Sequence, residues 1–173
     1  MKNLEKDQLE ILLEIIGSTP GHLIAHMSEG GEMLVEMLHD YCLDKAYKYQ
    51  LNCIDMDFYE TMKEKYQEEP NTGVLKFALD RRVYKIQARE YHFLFVSCDV
   101  PVEDRASFLE KSHAIIRTAG HIVIFIAKNN YDERDSWTEM LEEKLYVSTS
   151  IMDDLFESYD VVISKRMHGW GDK

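Results

Sequence analysis

Between residues 21 and 57 the hydrophobic rhythm of this chain changes twice, and that stretch limits the fold more than any other. GHLIAHMS reads as a short strand, EGG as a tight turn, EMLVEMLHDYCLDKAYKYQ as a long helix, and LNCIDMD as a second strand. A strand, a crossover helix and a second strand make a βαβ unit with parallel strands. In open α/β sheets a ligand settles beyond the carboxyl ends of the strands. Residues 29–32 and the acids Asp55 and Asp57 are therefore expected to face one crevice.

The rest of the chain continues the alternation. Residues 3–16 carry Leu4, Leu9, Leu12, Ile15 and Ile16 at helical spacing, and Gly17, Ser18 and Pro20 end that helix. After the second strand, FYETMKEKYQEE over residues 58–69 reads as a helix broken by Pro70, Asn71 and Gly73. In residues 74–90, VLKFAL fits a short helix or a strand, and RRVYKIQA fits a strand better. YHFLFVSC over residues 91–98 is continuously apolar, as a strand buried on both faces should be. A helix then starts near Pro101, buries Phe108, Leu109, Ile115 and Ile116, and stops at Ala119 and Gly120. HIVIFIA over residues 121–127 is β-branched and aromatic throughout. A helix over 133–144 follows. LYVSTSIMDDLFESYDVVISKRM reads as an antiparallel hairpin turning near Asp153 and Asp154. The fold class is therefore α/β: three layers, a doubly wound, mostly parallel sheet, and an antiparallel C-terminal edge hairpin. One domain over 1–173 is expected, with an N-terminal helix in 1–20 and the core in 21–168.

Charge narrows the partners. With 20 Lys and Arg against 32 Asp and Glu, the net charge is −12. Nucleic acid is excluded as a partner because phosphate binding needs clustered Lys and Arg. Anionic membrane surfaces are disfavoured on the same ground. No apolar run has the length of a membrane span, and no charged start leads into an apolar stretch. Cys42, Cys53 and Cys98 contain no CxxC and read as buried thiols in a reducing cytoplasm.

Several side chains carry two readings. The basic cluster Arg81, Arg82, Lys85 and Arg89 is either a solvated edge paired with carboxylates or an anion site. The seven His show no HExxH spacing, and each reads as a satisfied or exposed ring rather than a metal ligand. Cys98 and Asp99 fall at the carboxyl end of a central strand. The Cys is a buried thiol unless a His lies beside it to activate it. An Asp at a strand exit, such as Asp55, can equally cap the helix that follows. In the tail, Met167 to Gly171 places Trp170 in a glycine setting, to pack on the sheet or to cover a partner.

The alternation, with residues 90–128 and the tail SYDVVISKRMHG, resembles the class I, Rossmann-like S-adenosylmethionine-dependent methyltransferases over residues 20–168. RTAGH at 117–121 stands where that family has a Gly turn before its fifth strand. HMSEGGEM stands where the family has a turn of the ExGxGxG kind. The resemblance implies S-adenosylmethionine as cofactor. Ser28, Glu29, Gly30 and Gly31 would hold its amino-acid end, Asp55 or Asp57 its ribose, and Cys98 and Asp99 would line the acceptor side. The family's acid after the third strand, near the adenine, has no clear counterpart, because the link from Gln87 to Tyr91 leaves almost no room for the usual loop and helix.

The resemblance implies methyl transfer to a small acceptor, which requires mainly that donor and acceptor be held in orientation. No catalytic residue is marked. The incomplete glycine turn supports a second expectation, a fold that has lost the cofactor and serves as a non-catalytic binding or assembly module, in the form of a homodimer.

Overall fold

The computed structural model describes residues 4–84 and 90–167. Seven strands form one sheet in the order β3-β2-β1-β4-β5-β7-β6. They are β1 Leu23–Ser28, β2 Lys48–Cys53, β3 Thr72–Lys76, β4 Tyr91–Val96, β5 Ile116–Ala127, β6 Tyr146–Met152 and β7 Tyr159–Arg166. The first five run parallel, while β7 lies antiparallel between β5 and β6. The expected α/β class and the C-terminal hairpin are both present. Its second strand inserts beside β5, so β6 and not the last strand forms the edge.

Strand pleating divides the core into two clusters. Ile24, Leu51, Phe93, Phe95 and Val123 face one side. There they meet Leu9 and Leu12 of α1 (Lys6–Leu13), Leu34 and Leu38 of α2 (Glu32–Asp44), and Tyr59 and Met62 of α3 (Met56–Tyr66). Their sequence neighbours Ala25, Leu94, Val96, Ile122 and Ile124 face the other side. These pack on Phe108 and Leu109 of α4 (Val102–His113), and on Trp137 and Leu141 of α5 (Tyr131–Glu143). Successive side chains of a strand point to opposite faces, so strands sandwiched by helices read as unbroken apolar runs. This is the origin of YHFLFV and HIVIFIA.

Four expectations are corrected. The second strand starts at Lys48, and α2 stops at Asp44 rather than reaching Gln50. Tyr47 and Tyr49 are buried on the sheet, with Ala46 turning the chain at φ 55°. The third strand is Thr72–Lys76, not RRVYKIQA. Arg82 and Val83 lie in a bend, and residues 85–89 fall outside the described residues, as does the tail beyond Met167. The fourth helix ends at His113, so Ile115 and Ile116 are not on it. β5 already begins at Ile116, pairs with Tyr91, and passes through an irregularity with Ala119 at φ 64°. Ala119 and Gly120 therefore form a bulge inside a strand instead of a helix stop. Finally, His22 lies buried just before β1 with neither ring nitrogen hydrogen-bonded, so it is neither satisfied nor exposed.

Candidate functional site

The chain builds β1, β2 and β3 outward in one direction, then returns to place β4 on the other flank of β1. The gap between the carboxyl ends of β1 and β4 is the topological switch point, where such sheets receive ligands. The exits of the strands there are tied together. The Ile54 N–H donates to the Ser28 carbonyl at 2.9 Å, and the Ser97 N–H donates to the Met27 carbonyl at 3.0 Å.

The turn after β1 is built by glycines. Gly30 has φ +157° and Gly31 φ +94°, and Gly31 caps α2 with no side chain. A Cβ on Gly30 would meet nothing within 4 Å. Backbone conformation, not space, requires the residue there. Ser28, buried at the end of β1, holds the turn from below. Its hydroxyl donates to the Gly30 carbonyl at 2.6 Å and accepts from the Gly30 N–H at 3.2 Å. Glu29 leans across the switch point, and its carboxylate accepts from the Asp99 N–H at 3.2 Å.

Beneath the turn runs a chain of polar side chains that sequence reading did not assemble. Fully buried His26 bonds through Nδ1 to the Tyr49 hydroxyl at 2.9 Å, and through Nε2 to the Ser97 hydroxyl at 2.6 Å. The Ser97 hydroxyl reaches Ser28 Oγ at 3.2 Å. Buried Tyr49 has His26 as its partner and must place its proton somewhere, so it donates to Nδ1. Nε2 then carries the proton and donates to Ser97, which donates to Ser28, which donates to Gly30. Every link has one donor and one acceptor. Burial pushes the His26 pKa down to about 3, so the ring is neutral and supports the turn as a spacer. In this tautomer His26 cannot accept a proton from Ser97, so the two do not form a base-activated nucleophile. The bonds join three segments, β1, β2 and the β4 exit, across 23 to 71 residues of chain, and no local signal could have joined them.

The predicted site residues fall as follows. Ser28, Glu29, Gly30, Gly31, Cys98 and Asp99 converge on the switch point. Asp55 follows β2 and caps α3, with its Oδ1 accepting from the Phe58 N–H at 2.7 Å. The capping reading is thus correct, yet Asp55 is exposed and its second oxygen has no partner among the described residues. Asp57 lies within the first turn of α3, exposed and farther from the strand exit. Cys98 is buried, and burial together with the nearby Glu29 charge pushes its thiol up to about 12. It is a protonated thiol, and among the described residues no His is hydrogen-bonded to it. Asp80, an exposed acid that sequence reading did not single out, follows β3 (Thr72–Lys76) by four residues.

The loop after β4 is held by Arg105, which is buried. Its Nε donates to the Val100 carbonyl at 3.0 Å, one terminal nitrogen meets Glu133 at 2.9 Å, and its plane lies 4.8 Å from the Trp137 ring centroid. A cavity of about 230 Å³ opens beside that loop, lined by Glu29, Ser97, Cys98, Asp99, Phe125, Ala127, Glu133 and Tyr159. Among the described residues no group of three or more His, Cys, Asp or Glu is arranged to hold a metal ion. No described helix is long and apolar enough to cross a membrane. All three cysteines are free and buried.

No family model matches the sequence, and no curated protein matches it. Solved structures do. An S-adenosylmethionine-dependent O-methyltransferase from Thermotoga maritima superposes with a TM-score of 0.76 at 9% identity, over 98% of this chain and 68% of its own. An S-adenosylmethionine-dependent methyltransferase from Aquifex aeolicus gives 0.70 at 16% identity, over 93% of each chain. Human N-acetylserotonin methyltransferase, solved with S-adenosylmethionine, gives 0.64 at 12% identity. It is matched over 84% of this chain and 48% of its own, so this chain spans about half its length. At these identities the likeness shows the fold, which is that of the class I methyltransferases.

Proposed function

We propose that this chain binds S-adenosylmethionine at the switch point and transfers its methyl group to a small acceptor. The observation that carries the reading is the pairing of two features at the carboxyl ends of the adjacent parallel strands β1 and β2. One is a turn whose Gly30 and Gly31 adopt backbone angles other residues avoid. The other is an exposed Asp55 with one carboxylate oxygen left over after helix capping. Asp55 suits a ribose because a carboxylate oxygen accepts from hydroxyls. Met56, beside it and 50% exposed, offers an apolar wall. The exposed Asp80, four residues past β3, is the acid the reading assigns to the adenine. The turn over residues 28–31 would hold the amino-acid end, with open space above Gly30. When bound, the cofactor supplies a methyl group activated on a sulfonium. The chain's own part is to orient: Ser97, Cys98 and Asp99 flank the acceptor side, and Arg105 keeps that loop in place.

A second reading has an observation in its favour. Ser28 already engages both the N–H and the C=O of Gly30, and Glu29 already spans to Asp99. A turn satisfied by its own side chains suits a binding module that has dispensed with the cofactor. Calorimetry with S-adenosylmethionine and its demethylated product separates the two. Asp55→Asn is the informative variant, because Asn caps helices as well as Asp while losing the charge. Binding that Asp55→Asn weakens about tenfold or more, with thermal stability kept, supports the cofactor reading. No heat at millimolar ligand supports the module.

A further inference from the structure

We infer that the cavity beside the β4 exit is a site for a small cationic amine, and that this amine is the methyl acceptor. The second half of the inference rests on the function proposed above; the first does not. The lining of the cavity is the argument. Three carboxylates, Glu29, Asp99 and Glu133, border it, and no Lys or Arg does. Glu133 is neutralised, with one oxygen on Arg105 and the other on the Asn130 side-chain amide at 2.7 Å. Lys128, next in sequence to Ala127, is turned away and held by Asp160 at 3.2 Å and by the Phe156 carbonyl. That leaves Glu29 and Asp99 with no cationic partner among the described residues.

An aromatic pair lines the same cavity. Phe125 and Tyr159 meet edge to face, with ring centroids 6.4 Å apart at 83°. Carboxylates and aromatic rings in one cavity are the combination that attracts an ammonium, by ion pairing and by cation–π attraction. Glu29 and Asp99 are both exposed, so water screens them in part, and their charge still favours a cation over a neutral or anionic molecule of the same size. The Ser97 hydroxyl, fixed by His26 and Ser28, adds an oriented polar atom to the wall. The cavity volume, about 230 Å³, lies below the range of drug-sized pockets and selects a small molecule.

The bound ammonium releases one N–H proton to solvent by way of the exposed Asp99 carboxylate. The freed nitrogen lone pair attacks the methyl carbon. The carbon–sulfur bond breaks with its electron pair going to sulfur, leaving a neutral thioether and an N-methylammonium. Glu29 belongs both to the glycine turn and to the cavity wall, so donor and acceptor sites adjoin.

Benzylamine, benzyl alcohol and benzoate are matched in size and differ in charge, and their binding is read by calorimetry on the full chain without cofactor. The expected order is benzylamine tighter than benzyl alcohol by about tenfold, with benzoate silent. Glu29→Gln keeps an oxygen for the Asp99 N–H, and Phe125→Leu keeps the volume roughly filled. Each should abolish the preference for the amine while leaving thermal unfolding cooperative. Equal binding of amine and alcohol overturns the inference whether or not S-adenosylmethionine binds. Amine binding with the expected variant effects upholds the site. N-methylbenzylamine appearing by mass spectrometry with added cofactor then upholds the acceptor role, and its absence alongside amine binding overturns that role alone.

Discussion

At the scale of single residues, protonation is decided by burial. Burial pushes His26 down to about 3, and burial with the neighbouring His22 and Arg117 charges pushes His92 to about 4. His22 and His121 are lowered as well, each by burial first and then by a cation, Arg117 or Lys165. The unfolded chain titrates these rings near 6.5. Below that pH the unfolded state takes up protons that the folded state refuses. The stability they contribute is therefore whole above pH 6.5 and declines as the pH falls toward the folded values. Denaturant unfolding at pH 7 and pH 5 should show a lower midpoint at pH 5. His26→Gln should be less stable at pH 7, because Tyr49 and Ser97 lose a partner, and should show a shallower decline. An unchanged slope in that variant would exclude His26 from the acid response.

At the scale of elements, two glycines make contrasting predictions. A Cβ on Gly120 would meet Ile116 Cγ2 at 2.7 Å, the Arg117 carbonyl at 2.9 Å and the His92 carbonyl at 3.0 Å. Backbone cannot yield cheaply in the β5 bulge, so Gly120→Ala should cost about 1–3 kcal/mol by chemical denaturation. A Cβ on Gly73 would meet the end of the Gln50 side chain at 2.9 Å, on the edge strand β3. Gln50 can swing aside, so Gly73→Ala should cost less than Gly120→Ala. The same two elements explain what sequence reading missed. TGVLK lies at the edge of the sheet, and none of its residues is fully buried. It carries no strong apolar signature, and the neighbouring RRVYKIQA drew the assignment. Ile115 and Ile116 looked helical because their spacing continues from Phe108 and Leu109. The bulge that returns the chain to β5 depends on pairing with Tyr91.

At the scale of the whole molecule, the N-terminal helix is part of the core. Leu9 and Leu12 are fully buried, Leu13 and Ile16 nearly so, all in the cluster that holds Ile24, Leu34 and Leu38. Burying each contributes about 1.5–3 kcal/mol. Four together rival the about 5–15 kcal/mol of net stability typical of a domain. Deleting residues 1–17 should therefore abolish cooperative thermal unfolding in calorimetry, and retained cooperativity would show the helix to be peripheral. The net charge of −12 belongs to this scale as well. The chain should not shift a DNA duplex in a gel at low salt, where phosphate attraction is strongest.

What the sequence determined by itself is the alternation of strands and helices, and hence the layered sheet. Periods of 2 and 3.6 residues are local properties, read within a dozen positions. It also placed Gly30, Gly31 and Asp55, because a left-handed turn and a helix cap are demands made by adjacent backbone. The order of strands, the insertion of β7 and the joining of Tyr49, His26, Ser97 and Ser28 into one hydrogen-bonded line were decided only by the tertiary structure. So was the cavity that gathers Glu29, Asp99, Phe125 and Tyr159 into one lining. The physical reason is common to all of these. Each contact joins segments distant along the chain, and their meeting is set by which apolar faces must be covered together, a condition no single segment carries.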